Sequence, residues 1–325
     1  MQVFLALVLV LGLVGCGGSN DSVYDPYRRD ATGSEAQIIA KTNLLDEKGH
    51  VGPAIDPDGG GSPFGILMNL NGYSYTGSFS SCTVTHLSRG LVATNAHCLH
   101  SSDQGSKLAI IYYDVRGEKK STRVERVVYR GEHEKDDFAL LAIPSSDAQN
   151  WDVASGAVAH GKGDQGRRIR IYSYDPVSSY YDYSRAQFQF SPKTCLAGRE
   201  TPRLEEVSTD SMGGVRRKEE KFRDLPVALD SNVHLFMESC TADVIKGNSG
   251  ALIRDLDKNE NIGVVHWIIK ASPRENLVSL SDPGFIGYEY RGPSGETKSA
   301  KSFSSIKFFV GTCFDWVLSQ NPGLF

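Results

Sequence analysis

The 325-residue chain has no excess of basic side chains, because 35 lysines and arginines stand against 39 aspartates and glutamates, for a formal net charge of −4. Dedicated nucleic-acid-binding proteins normally carry a basic excess or basic blocks, so this class is disfavoured. Apolar residues make up 40% of the chain and charged residues 23%, which excludes a collagen-like, coiled-coil or wholly disordered protein. The 33 glycines and the many short β-branched and aromatic runs favour an all-β fold.

Metal-binding and redox motifs are also lacking. None of the six cysteines belongs to a Cys-x-x-Cys pair, which disfavours a zinc ribbon and a thioredoxin-type site. His133 lies among acidic residues but has no His-Glu-x-x-His pattern, so its segment is interpreted as a solvated loop. The charged run at residues 216–221 mixes both signs and indicates an exposed loop. It lies in residues 203–223, which lack periodicity and are predicted to be a surface insertion.

The first apolar run, residues 3–14, is too short to span a bilayer and instead fits the core of a signal peptide. It ends in Leu-Val-Gly-Cys at Cys16, which resembles the lipobox of bacterial lipoproteins, although no Lys or Arg precedes the run. The resemblance implies a signal peptide over residues 1–16, lipidation of Cys16, and an exported protein anchored in the cell envelope. Because Gly17 follows the cysteine, the outer membrane is the expected location in a bacterium that has two membranes. A buried apolar N-terminal segment is the alternative.

Two regions follow. Residues 17–64 are rich in glycine, serine, aspartate and asparagine and are predicted to be a flexible tether, in which residues 38–40 and 44–45 could form a short helix or pack on the domain. Residues 65–325 contain many short strand patterns separated by turns, and only residues 310–318 show helical periodicity. This pattern favours paired β-barrels with a C-terminal helix over a single sandwich, although periodicity alone does not decide between them.

Three short motifs supply the residue types of nucleophilic catalysis. His97 ends the sequence Thr-Asn-Ala-His after a predicted strand, Asp137 directly precedes the apolar run Phe-Ala-Leu-Leu, and Ser249 lies in Gly-Asn-Ser-Gly. A serine hydroxyl is a poor nucleophile at neutral pH and needs a base such as histidine to remove its proton. An aspartate can hold the imidazole in the required tautomer. Asp136 is the rival of Asp137 for this role.

In the order His, Asp, Ser, these motifs resemble the trypsin/chymotrypsin-like serine proteases. The resemblance extends over about residues 70–325. It implies two six-stranded antiparallel β-barrels, with His97 and Asp137 in the first and Ser249 in the second. It also implies a serine endopeptidase that cleaves protein or peptide substrates through an acyl-enzyme without cofactor or metal, with an oxyanion hole formed by the backbone amides of Gly247 and Ser249. The alternatives are an esterase and a catalytically silent cell-surface binding protein on the same scaffold.

The resemblance also implies two disulfides among the five cysteines that remain once Cys16 is lipidated. The first brackets the histidine, as the His-loop disulfide of the family does, and the second matches the bacterial branch that contains the glutamyl endopeptidases. These pairs are Cys82–Cys98 and Cys195–Cys240. Cys313 is then a buried spare thiol. Paired cysteines fit export to an oxidising compartment.

The residue before the candidate nucleophile departs from the digestive enzymes of the family. Trypsin and its relatives have an aspartate there, which pairs with a newly cut N-terminal amine and so activates the zymogen. Asn248 is uncharged and cannot form that ion pair. The resemblance therefore implies a protease that does not depend on this type of activation.

Four residues are predicted to line the substrate pocket, namely Asp243, His266, Trp267 and Ile268. Asp243 lies six residues before Ser249, where trypsin has the carboxylate that binds lysine and arginine. His266 resembles the histidine that recognises glutamate in glutamyl endopeptidases, although one extra residue precedes it. Ile268 stands where the family usually has glycine and would favour a small residue before the cut. Basic, acidic and small residues all stay open, and both Asp243 and His266 could instead be structural.

Overall fold

The computed structural model describes the chain in ten segments. They are residues 35–69, 80–99, 108–133, 135–159, 166–177, 186–220, 230–245, 247–270, 284–301 and 307–324. The predicted signal peptide, Cys16 and residues 17–34 of the predicted tether lie outside them. Within these segments, no helix is both long and apolar enough to cross a membrane.

The described chain starts with helix α1 (Glu35–Lys41) and strand β1 (Asn43–Leu45), inside the segment predicted to be a tether. β1 pairs in parallel with residues 187–189. Ile38 and Leu44 are buried and belong to the largest apolar core of the protein. The short helix and the packing on the domain that the sequence allows for residues 38–40 and 44–45 are thus present in the structure, because Ile38 and Leu44 are buried against the domain.

Seven strands form the first sheet. They are β2 (Phe64–Asn69), β3 (Ser80–Ser88), β4 (Leu91–Asn95), β5 (Leu108–Tyr113), β6 (Lys119–Arg123), β7 (Arg126–Arg130) and β8 (Phe138–Ala142). Neighbouring strands are antiparallel in the order β6-β5-β2-β3-β4-β8-β7, which makes an open half-barrel. Successive side chains of β2 point to opposite faces of the sheet, as in any strand. Ile66 packs into one apolar core and Leu67 into another. The short helix α2 (Ser145–Ala148) follows the sheet.

The remaining strands lie in the second half of the chain. They are β9 (Ala157–Val158), β10 (Arg167–Pro176), β11 (Gln187–Gly198), β12 (Arg203–Thr209), β13 (Val215–Glu220), β14 (His234–Glu238), β15 (Leu252–Asp255), β16 (Glu260–Lys270), β17 (Phe285–Arg291), β18 (Thr297–Ala300) and β19 (Lys307–Cys313). Six of them form a barrel in the order β11-β10-β15-β16-β19-β14, which closes because β14 also pairs with β11. Apolar side chains such as Ile171, Leu235 and Ile253 fill its interior.

Four strands outside the barrel form a separate antiparallel sheet in the order β13-β12-β17-β18. Its first hairpin lies in residues 203–223, which are predicted to be an aperiodic insertion, so that prediction misses a regular element. The strands escape a pattern search because the described side chains of β13 are all exposed and only Leu204 and Val207 of β12 are buried. Without an alternating apolar face, the two-residue period is invisible in the sequence.

The C-terminal helix α3 (Phe314–Gln320) begins later than the helix predicted at residues 310–318. Val310 and Cys313 belong to β19, because pairing with β14 on one side and β16 on the other holds this stretch extended. Phe314 and Val317 pack into the main core. The predicted trypsin-like all-β fold class with a C-terminal α-helix is confirmed. The second sheet closes into the predicted six-stranded barrel, whereas the first has seven strands and forms an open half-barrel.

Candidate active site

His97 lies directly after β4, in a single 3₁₀ turn that spans Ala96–Cys98. The turn is fixed at both ends, because Cys98 forms a disulfide with Cys82 of β3 and the Ala96 N–H donates to the carbonyl of Asp137 at 3.1 Å. The side chain of His97 is 29% exposed. The sequence thus places an imidazole that solvent can reach on a rigid support.

Asp137 directly precedes β8, and its buried carboxylate faces His97. Oδ2 is 2.5 Å from Nδ1 of His97, and Oδ1 accepts the His97 backbone N–H at 2.7 Å. The residue has a φ of +37°, a conformation that few non-glycine residues adopt. Its carbonyl accepts a hydrogen bond from Nδ2 of Asn95 at 2.7 Å, which helps to hold that conformation. The imidazole and the carboxylate are therefore held together by backbone as well as side-chain contacts.

Asp136 faces a different set of groups. Its carboxylate accepts hydrogen bonds from the Tyr129 hydroxyl at 2.5 Å and from the Glu132 backbone N–H at 2.7 Å. Of the two neighbouring acids, Asp137 is the one whose carboxylate meets His97.

His266 lies on the far side of Asp137. Its side chain is buried, and Nε2 is 3.2 Å from Oδ2 of Asp137. The register between β16 and β19 shifts between Val265 and Trp267, so His266 sits in a β-bulge, and a bulge re-aims the side chain that it contains. His266 is thus buried behind the His97–Asp137 pair, and its role in the substrate pocket stays a prediction.

A third imidazole completes this cluster. Nδ1 of half-exposed His133 is 3.5 Å from Oδ1 of Asp137. Burial lowers the pKa of His266 to about 4, with the Asp137 carboxylate acting in the opposite direction, so His266 is neutral near pH 7.

His97, His133 and Asp137 each offer one ligand atom within 4.8 Å of the others, and these are the residues that could hold a metal ion.

Ser249 lies in a tight turn between β14 and β15. Its carbonyl accepts the Thr83 N–H at 2.9 Å, which fixes the turn to β3. The next residue, Gly250, has a φ of +80°, and a Cβ there would lie 2.4 Å from the Thr83 carbonyl oxygen and 2.5 Å from the Thr94 hydroxyl. Only glycine allows this approach. The turn of Ser249 therefore packs against β3 and β4, and His97 directly follows β4.

Gly247, predicted to supply an oxyanion-hole amide, is buried with a φ of +106°. Its carbonyl accepts a hydrogen bond from the Thr83 hydroxyl at 3.4 Å. That hydroxyl in turn accepts the Tyr174 N–H at 3.1 Å, so one buried threonine of the first sheet joins the serine turn to β10 of the barrel.

The other predicted pocket residues are described only in part. Asp243 is exposed, on the loop that the second disulfide, Cys195–Cys240, ties to β11. The backbones of Trp267 and Ile268 belong to β16, and their side chains lie outside the described part of the chain. Cys313 is a free, buried thiol, and burial raises its pKa to about 12.

The model of the trypsin-like peptidase domain matches residues 80–264 of the chain, which include the segments of His97, Asp137 and Ser249. The chain belongs to the trypsin-like peptidase domain family. No curated protein matches the sequence of this trypsin-like peptidase significantly.

Several solved structures resemble the trypsin-like peptidase described here. The active form of the Rv3671c protease from M. tuberculosis is 19% identical, with a TM-score of 0.37 over 62% of this chain and 69% of that one. Deg5 is 16% identical, with a TM-score of 0.37 over 63% and 79% of the two chains. The inactivated protease paralogue S-I1 of the scabies mite is 14% identical, with a TM-score of 0.44 over 79% and 91%.

Acid is expected to lower the free energy of unfolding of this trypsin-like peptidase, because several of its histidines are buried. Burial lowers the pKa of His266 to about 4 and also lowers those of His86 and His234. An unfolded histidine binds a proton near pH 6.5, so between pH 6.5 and 4 the unfolded chain binds more protons than the folded one. The stabilising contribution of His266 is complete above pH 6.5 and is lost as the pH falls to 4, by about 3 kcal/mol.

Urea unfolding at pH 7, 5.5 and 4 measures this effect. His266→Gln removes the titrating group, so its free energy of unfolding is expected to depend less on pH than that of the wild type. His50→Gln changes an exposed histidine and serves as the control, with an unchanged dependence expected. Parallel pH profiles for wild type and His266→Gln would contradict the prediction.

Proposed function

We propose that this trypsin-like peptidase is a serine endopeptidase in which Ser249 is the nucleophile, His97 the general base and acid, and Asp137 the group that orients His97. The observation that carries the proposal is the 2.5 Å contact between Nδ1 of His97 and Oδ2 of Asp137. A carboxylate only accepts hydrogen bonds, so Nδ1 bears the hydrogen and the lone pair lies on Nε2. This is the tautomer that can take the proton of a serine.

The reaction then follows two acyl-transfer steps. Oγ of Ser249 attacks the scissile carbonyl while His97 takes its proton, and the oxyanion is stabilised by the backbone amides of Gly247 and Ser249. His97 returns the proton to the leaving amine, which leaves an acyl-enzyme on Ser249. Water, activated by the same histidine, releases the second product.

The charges around Asp137 suit this chemistry. The buried carboxylate stabilises the imidazolium that His97 becomes during attack. The depressed pKa of His266 keeps the imidazole on the far side of Asp137 neutral near pH 7, so that side adds no competing cation. On that side, the negative charge of Asp137 is therefore not shared with a second cation.

We also propose that the domain is exported and lipid-anchored through Cys16. The Leu-Val-Gly-Cys sequence supports this, and so do two disulfides, which persist in oxidising compartments. Mass spectrometry of the N-terminal peptide from the membrane fraction tests it, and an unmodified Cys16 would contradict it.

The experiment for the enzymatic proposal uses the full chain with its disulfides formed. A fluorophosphonate probe is expected to label the wild type and not Ser249→Ala, and only the wild type is expected to cut a mixed peptide library. The residue before each cut, identified by mass spectrometry, gives the substrate preference. Folded wild-type protein that neither reacts with the probe nor cuts any peptide would overturn the proposal, and turnover of esters alone would show an esterase.

A further inference from the structure

A lysine ammonium is buried in the wall of the closed barrel, beside the turn of Ser249. Lys193 of β11 has no exposed surface, and burial lowers the pKa of its amine while Asp175 raises it. Five oxygen atoms lie within 3.2 Å of Nζ. The nearest are Oγ of Ser173 at 2.7 Å and Oδ1 of Asp175 at 2.8 Å. A group with three N–H donors surrounded by oxygens is suited to a charged amine, whose burial is tolerated only when it is paired in this way.

Asp175 connects this amine to the turn. Its Oδ1 accepts a hydrogen bond from Lys193 and a second one, at 2.6 Å, from Nδ2 of Asn248. Asn248 is fully buried and directly precedes Ser249. Its Nδ2 also donates to the Tyr174 carbonyl at 3.1 Å, and its Oδ1 accepts the Ile245 N–H at 2.9 Å. The amide nitrogen thus ties the turn to β10, and the amide oxygen braces the turn internally through Ile245.

The charges of Lys193, Asp175 and Asn248 explain why Asp175 lies between the other two. An asparagine can donate to a carboxylate, whereas two carboxylates at 2.6 Å would repel each other. The ammonium of Lys193 compensates the charge of Asp175, and Asp175 holds Asn248. The backbone that Asn248 holds bears the amides of Gly247 and Ser249.

We propose that Lys193 and Asp175 are positioning residues, an internal ion pair that holds the nucleophile turn in its reactive conformation through Asn248. The inference rests on the proposed serine endopeptidase function. It assigns to a buried pair in the barrel a role that the sequence motifs do not indicate, since Lys193 and Asp175 lie far from Ser249 along the chain.

Lys193→Met tests the pair, because it removes the ammonium and keeps most of the aliphatic stem. The Asp175 side chain is 24% exposed and can turn to solvent, which takes its oxygen away from Asn248. We expect hydrogen exchange of peptides covering residues 243–251 to speed up at least ten-fold. We expect fluorophosphonate labelling to slow by a similar factor, with kcat reduced and KM little changed, while β15 and β19 keep their protection.

Three further variants control the result. Lys120→Met removes the same charge from a lysine that is 43% exposed, and no change is expected. Lys193→Met combined with Asp175→Asn restores a neutral pair whose amide oxygen can again accept from Asn248, so protection and labelling are expected to recover several-fold. Asn248→Ala leaves the ion pair whole and is expected to loosen the same turn, which keeps the test valid if Lys193→Met does not fold.

Two outcomes overturn the inference. Unchanged exchange and labelling in Lys193→Met, or in Asn248→Ala if the former does not fold, shows that the pair does not position the turn. Equal loss of protection in the turn and throughout the barrel shows that the pair only stabilises the fold. If the wild type is not labelled at all, the proposed function fails, while hydrogen exchange still decides whether the pair holds the turn.

Discussion

Asp137→Asn is expected to lower kcat/KM for peptide cleavage by about 10⁴-fold while the protein stays folded. The amide nitrogen would face Nδ1 of His97 as a donor at the 2.5 Å contact that the carboxylate now makes as an acceptor. Nδ1 would then have to accept, and the hydrogen would move to Nε2, where the base must instead have a lone pair. The loss comes from the wrong tautomer as well as from the missing negative charge.

Asp136→Asn is the matched control, because it makes the same substitution one residue earlier. Its carboxylate accepts from the Tyr129 hydroxyl and the Glu132 N–H. Its activity per folded molecule is expected to stay within a few-fold of the wild type. Cleavage kinetics on one peptide, normalised to folded protein by circular dichroism, compare the two. Similar losses in both variants, or retained activity in Asp137→Asn, would remove Asp137 from its proposed role.

The residues nearest the proposed chemistry could be found from the sequence because their signals are local. His97 follows one strand, Asp137 opens another, and Ser249 lies between two glycine-containing turn positions, so each motif needs only a few neighbours to be recognised. Gly250 illustrates why such a signal is local. Its positive φ and its close approach to Thr83 allow only glycine, so the requirement is visible as a glycine in the sequence.

The orientation of His266 could not be found in this way. A bulge exists only relative to the partner strand, so the extra residue before His266 is visible in the sequence but its consequence is not. The pairing of Lys193 with Asp175 depends on the register between β10 and β11, which the sequence likewise leaves open. Both contacts join residues that are far apart in the sequence. His266 touches Asp137, and the Lys193–Asp175 pair touches Asn248 next to Ser249.

The extent of burial in the N-terminal segment cannot be derived from local patterns for a related reason, since it depends on a surface built from residues far along the chain. Asp56 is 1% exposed and pairs with the guanidinium of Arg254 in β15, which is fully buried. Nη1 of Arg254 is 2.9 Å and 3.1 Å from the two carboxylate oxygens. Nε donates to Oδ1 of Asn261 at 3.0 Å, and the guanidinium lies 4.8 Å from the centre of the Tyr172 ring.

Asp56→Asn is therefore expected to lower the free energy of unfolding by about 3–5 kcal/mol, because it leaves a buried guanidinium without its charged partner. Asp257→Asn is the control, since the pair of Asp257 with Arg168 is exposed and such pairs contribute at most about 1 kcal/mol. Urea unfolding at pH 7 compares both with the wild type.

The same argument predicts that a chain starting at residue 65 is destabilised at least as much as Asp56→Asn, because it lacks Asp56 and the apolar contacts of α1 and β1. Replacing both partners, Asp56→Leu with Arg254→Met, removes the buried charges together and is expected to recover much of the loss. Equal stability of Asp56→Asn and Asp257→Asn would show that Arg254 does not depend on Asp56. Recovery in the double variant, with loss in the single one, would show that Asp56, in the segment predicted to be a tether, neutralises the buried charge of Arg254 in the barrel.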